Sequence, residues 1–74
     1  MTRIEFNVYE TDENSNAFKW KSTHADHQSA KTHAHWLAEM TGVEHTVRKH
    51  ETTARTPLDR STYSKELTTY WAKP

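Results

Sequence analysis

The sequence predicts an α+β fold: a three-stranded antiparallel sheet in the order strand, strand, helix, strand (ββαβ), with one helix packed on one face and a C-terminal helix or strand. Three observations carry this. Residues 4–9 and 18–21 alternate apolar and polar side chains with period two, the pattern of half-buried strands. Residues 25–40 switch to helical spacing. Gly42, the only glycine among 74 residues, follows directly and suits the left-handed position that ends a helix.

In the first strand Ile4, Phe6 and Val8 alternate with Glu5, Asn7 and Tyr9. Thr11-Asp12-Glu13-Asn14-Ser15-Asn16 is a polar turn cluster. Phe18 and Trp20 then alternate with Lys19 and Lys21, which gives a second strand antiparallel to the first. In the helix Ala30, Ala34, Leu37 and Thr41 share one face, flanked by His33 and Met40 on one side and Ala38 on the other. Thr23 or Asp26 serves as N-cap. The small alanines let the helix lie close to a sheet. Val43, His45 and Val47 share a parity against Glu44, Thr46 and Arg48, a third strand. The first strand is then central, strands two and three run parallel to each other, and the helix crosses right-handed between them. The expected core is Ile4, Phe6, Val8, Phe18, Trp20, Ala30, Ala34, Leu37, Val43 and Val47.

The tail reads less simply. Thr52-Thr53-Ala54-Arg55 is a loop, and Thr56-Pro57-Leu58-Asp59 matches a capping box with proline at the first helical position. Tyr63, Leu67, Tyr70 and Trp71 fall at helical spacing, but abundant Ser and Thr oppose a helix. A strand around Thr68–Trp71 competes with it. No repeat or second domain is visible, so residues 1–74 form one small domain, with its core over 3–50 and a C-terminal arm over 51–74.

Ten Lys and Arg balance ten Asp and Glu. A neutral chain lacks the electrostatic pull that dominates nucleic-acid binding, so nucleic acid is disfavoured as partner. Without cysteine there is no disulfide, which is compatible with a reducing compartment. Met1-Thr2-Arg3-Ile4-Glu5 lacks the apolar run of a signal peptide, and nothing approaches the ~20 apolar residues of a membrane span. The expectation is a cytoplasmic protein without membrane contact. A hydrophobic fraction of only 32% raises the question of disorder, which the spread of three Trp, three Tyr and two Phe answers.

The six histidines are His24, His27, His33, His35, His45 and His50. His33 and His35, two apart, point to different sides of a helix. No HExxH or Cys/His spacing occurs, so no metal or other cofactor is expected, although a His-rich metal binder remains an alternative. Ser61, Ser64 and Lys65 lie close in sequence without the glycines of an oxyanion or phosphate loop. Glu5, Glu10, Asp12 and Glu13 read as solvating the hairpin. No catalytic residue is assigned, and the chain is not expected to be an enzyme. A second alternative is a single-stranded nucleic-acid binder using Tyr9, Lys19, Lys21 and Arg48 on the exposed sheet face. The stronger lead is the aromatic residues outside the core, because Trp and Tyr dominate interface hot spots. The candidate partner contacts are Trp36, His35 and Glu39 on the outer helix and Tyr70 and Trp71 in the tail, followed by Lys19, Lys21 and Arg48.

The hairpin with Phe18 and Trp20, then Thr23-His24-Ala25-Asp26, the helix with Ala30, Ala34 and Trp36, and the return strand Val43–Val47 resemble small phage-encoded host-takeover proteins. These include the strand-strand-helix-strand inhibitor of bacterial RNA polymerase and several anti-CRISPR proteins. The likeness spans about residues 3 to 50 and is one of architecture and composition, not of a motif. It implies a stoichiometric inhibitor, monomer or homodimer, that caps a surface of a host defence or transcription complex in the host cytoplasm. No site residue carries over from that family. The expectation is therefore a non-enzymatic protein-binding module.

Overall fold

The computed structural model describes residues 2–12, 17–54 and 62–74. The elements are β1 (Thr2–Asp12), β2 (Ala17–His24), α1 (His27–Thr41), β3 (His45–Ala54) and β4 (Thr62–Ala72). They form an α+β fold with one helix and an open four-stranded sheet, ordered β2-β1-β3-β4, in which all neighbours are antiparallel. β1 is interior and lies between β2 and β3, as the alternation implies. The expectation of three strands is corrected to four. The C-terminal segment pairs with β3 over its whole length, so the strand prevails over the helix there. Thr and Ser, which weaken a helix, are tolerated in a paired strand. β3 also runs on through Thr52-Thr53-Ala54, which the sequence reading made a loop. The capping-box tetrad at 56–59 and most of the first turn cluster lie outside the described residues.

The helix begins where Asp26 accepts a hydrogen bond from the Ser29 backbone N–H at 3.0 Å. This satisfies one of the donors that a helix start leaves free. It ends where Gly42, at φ 71°, donates its N–H to the Ala38 carbonyl. That left-handed geometry is strained for residues carrying a Cβ. Between the caps, Ala30, Ala34 and Ala38 are fully buried. They rest on Val8, Val47 and Ala72 from three neighbouring strands, with Phe6, Leu37 and Tyr70 packed at the margin. The core is thus two valines and four alanines.

Four residues expected in the core lie outside it. Ile4 is 43% exposed: it lies beyond Phe6, whose ring already meets His27 in the first turn of the helix at 5.0 Å. Phe18 and Trp20 are 41% and 58% exposed for a different reason. Ser22 pairs with Val8 but Trp20 pairs with Tyr9, so Lys21 is an extra residue in β2 and the register slips. A one-residue slip reverses every side chain beyond it. His24 and Ser22 share the helix side with Phe6 and Val8. Phe18 and Trp20 share the opposite side with Tyr9. A second bulge, at Thr69, acts likewise between β3 and β4. It places Tyr70 and Ala72 opposite Val47 and His45 on the helix side, and Trp71 opposite Thr46 on the other. Val43 precedes β3 and is half-buried, outside the core cluster.

Two substitutions test this packing by urea denaturation. Ala34→Leu inserts bulk where the helix touches the sheet and is expected to cost about 1–3 kcal/mol. Gly42→Ala meets no neighbouring atom but keeps the positive φ, and is expected to cost about 1 kcal/mol. A neutral Ala34→Leu would contradict the close helix–sheet contact.

Candidate functional site

Among the described residues, the helix covers one side of the sheet and no element covers the other. On the uncovered side the two bulges collect residues that the sequence scatters: Phe18 and Trp20 from β2, Tyr9 from β1, Arg48 from β3 and Trp71 from β4. The Arg48 guanidinium lies 4.2 Å from the Phe18 ring centroid and 5.7 Å from that of Tyr9. Tyr9 and Phe18 meet edge to face at 6.4 Å. A guanidinium between two ring faces is held by cation–π attraction and keeps its edge N–H groups for a ligand. Its Nε is buried and has no hydrogen-bond partner among the described residues, and neither has the Thr46 hydroxyl.

A hydrogen-bond relay crosses this face. Trp20 Nε1 donates to Thr23 Oγ1 at 3.0 Å, and Thr23 Oγ1 donates to Asn7 Oδ1 at 2.6 Å. Burial pushes the Tyr9 phenol above its ordinary range, and the Glu66 carboxylate raises it further, against the weaker opposing effects of Arg48 and Asn7. These two bonds tie the Trp20 ring on β2 to Asn7 on β1.

The residues expected to contact a partner do not form one patch. Trp71 is on the uncovered sheet face, 48% exposed, beside Arg48's strand. Trp36 is 53% exposed but lies on the helix, in the opposite layer. His35 and Glu39, one helical turn apart, pair with each other at 3.0 Å. Tyr70 is half-buried against the core beneath Lys31, whose Nζ is 5.0 Å from its ring. Lys19 and Lys21 do not join Arg48: the Lys21 bulge turns them toward Glu10 on the helix side, where Lys21 Nζ sits 3.2 Å from Glu10 Oε2. Phe18 and Trp20 are the members the sequence reading missed. Their alternation is unbroken through Trp20, and no glycine marks the bulge that follows.

On the helix side an open groove of about 480 Å³ is lined by His24, Gln28, Ser29, Thr32, His33 and Trp36. His33 stacks on Trp36 at 5.8 Å and lies 5.3 Å from His24. Among the described residues no three His, Asp or Glu side chains converge as metal ligands would. His45 is fully buried, with Nδ1 donating to the Val43 carbonyl at 2.8 Å and Nε2 3.8 Å from Glu10. His50 and Ser64 share a hydrogen bond across β3 and β4, but on a flat sheet. No helix among the described residues is long and apolar enough to cross a membrane.

Desolvation lowers the His33 imidazole below its usual value of 6.5, and the neighbouring His24 and His45 lower it further. The unfolded chain then binds more protons than the folded one, so stability falls as pH drops from about 6.5 through the folded value. Melting temperatures measured between pH 7.5 and pH 5 are expected to decline less in His33→Gln than in the native chain. An unchanged decline would remove His33 as a source of acid sensitivity. Compared with known proteins, the chain matches no family model, no curated sequence and no solved structure.

Proposed function

We propose that the chain is a non-enzymatic protein-binding module whose working surface is the uncovered sheet face. The observation that carries this is the group Tyr9, Phe18, Trp20 and Trp71 on one face of the sheet, with Arg48 against the Tyr9 and Phe18 rings and Trp20 tied through Thr23 to Asn7. Rigid aromatic rings around an arginine are the composition of interface hot spots. A sheet face bearing half-exposed rings suits a protein surface better than a small substrate, whose site is ordinarily concave. For the same reason the His50–Ser64 contact reads as a cross-strand pair.

The charge pattern favours protein over nucleic acid. Arg3 and Arg48 on this face are matched by Glu5 and Glu66, and Arg3 is already paired with Glu5 at 2.7 Å. With Lys19 and Lys21 turned away, the face lacks the excess of cations that phosphate backbones require. An inhibitor of a host defence or transcription complex, as the resemblance implies, would cap its target with this surface. That step rests on the resemblance of the sequence alone.

The test compares tagged native chain with Trp20→Ala/Trp71→Ala in affinity capture, counting untagged copies of the chain separately from other proteins. Protein retained by the native chain is expected to survive nuclease treatment and a rise from about 50 to 200 mM salt, and to be lost in the variant. Nucleic acid retained with a steep salt dependence would contradict the proposal, because released counterions weaken phosphate binding by roughly 10³-fold or more over that range.

A further inference from the structure

The sheet face also carries features that identify its occupant. We infer that it is a second copy of this chain, packed sheet against sheet in a two-fold dimer. This rests on the reading of that face as a protein-docking surface and names the partner.

Four observations converge. The first is the imbalance of burial. The core holds two valines and four alanines, while Phe18, Trp20 and Trp71 stand about half exposed on one side of the sheet. Below about 80 residues a single core seldom stabilises a domain amply, and association is one of the usual remedies.

The second is area. Four strands about 4.8 Å apart, eight to eleven residues long at about 3.3 Å per residue, present roughly 600 Å² in plane. That is of the order of the roughly 800 Å² of accessible surface that each partner contributes to a standard interface. Two sheets pack face to face at about 10 Å, and Thr52 and Thr68 stand on the same side of this sheet as the rings.

The third is charge. A chain with zero net charge does not repel its copy, and near-zero net charge promotes association. The fourth is the arrangement of those charges. Arg48 pairs in register with Thr68, and His50 with Glu66, so Arg48 and Glu66 sit on adjacent strands one step apart on the same face. A two-fold axis passing between them sets each Arg48 against the other copy's Glu66. Such an interface is self-complementary, as isologous contacts must be.

Sedimentation equilibrium on the full chain tests this. The expected mass is twice the 8.7 kDa of one chain, with Trp20→Ala/Trp71→Ala weakening the dimer at least 100-fold. Arg48→Glu and Glu66→Arg are each expected to weaken it about 10-fold or more, and the double charge swap to recover most of the loss. Far-UV circular dichroism checks that each variant keeps its fold. If the tryptophan variant fails this check, the exposed Glu66→Arg substitution and its rescue decide. A chain that stays monomeric at about 0.5 mM, or a dimer indifferent to all of these changes, overturns the inference. If the monomer nevertheless captures a different protein and the tryptophan variant does not, the sheet face remains a docking surface while the second copy is excluded. If neither property responds to the tryptophans, the reading of the face falls as well.

Discussion

The structure depends on two extra residues, one in each edge strand. Lys21 in β2 and Thr69 in β4 each break the pairing register by one position, and every side chain beyond the break changes sides. Because of them, the helix-covered layer receives small residues and the uncovered layer receives the aromatic rings. Without the break at Lys21, Phe18 and Trp20 would lie on the same side of the sheet as Val8. Bulges are placed where a strand must re-aim a side chain, and both edges of this sheet use one. Thr69 also holds its position chemically: its hydroxyl donates to the Val47 carbonyl at 3.2 Å and contacts His27 Nε2 at 3.0 Å. That second contact ties the first turn of the helix to the far edge of the sheet.

This division of labour explains the composition. A helix with alanine at 30, 34 and 38 approaches a sheet closely but contributes little apolar area. The protein therefore keeps a thin core on one side and concentrates its large apolar side chains where they remain reachable. Some polar groups of that face are satisfied within it, Trp20 donating to Thr23 and Thr23 to Asn7. Arg48 and Thr46 are the exceptions, and both lie at its centre.

Much of the fold was legible because it follows from local periodicity. The helix was placed within two residues of its start by the spacing of its alanines, and its end by Gly42. The central position of β1 followed from the element order. The fourth strand was readable only as one of two alternatives, because Leu67, Tyr70 and Trp71 satisfy helical spacing while their neighbours favour extended chain. The site was legible only in fragments. Trp71 and Arg48 were singled out and share the sheet face; Tyr9 entered as a candidate for stacking. Phe18 and Trp20 were assigned to the core because alternation encodes relative parity, not which side is absolute. A register slip that needs no glycine leaves no mark in the sequence. Lys19 and Lys21 were misplaced by the same slip, and Tyr70 by the one at Thr69. Trp36 was correctly set off the buried helix stripe, but distance between layers, which a sequence does not display, separates it from Trp71.

The direct measurement is the set of nuclear Overhauser contacts made by the Phe18 ring in the isotope-labelled chain. Contacts from Phe18 to Tyr9 and to the Arg48 side chain, with none to the methyl groups of Ala30, Ala34 or Ala38, are the result this account predicts. Contacts from Phe18 to those alanine methyls would contradict it, since they would return the ring to the helix side and dissolve the aromatic face.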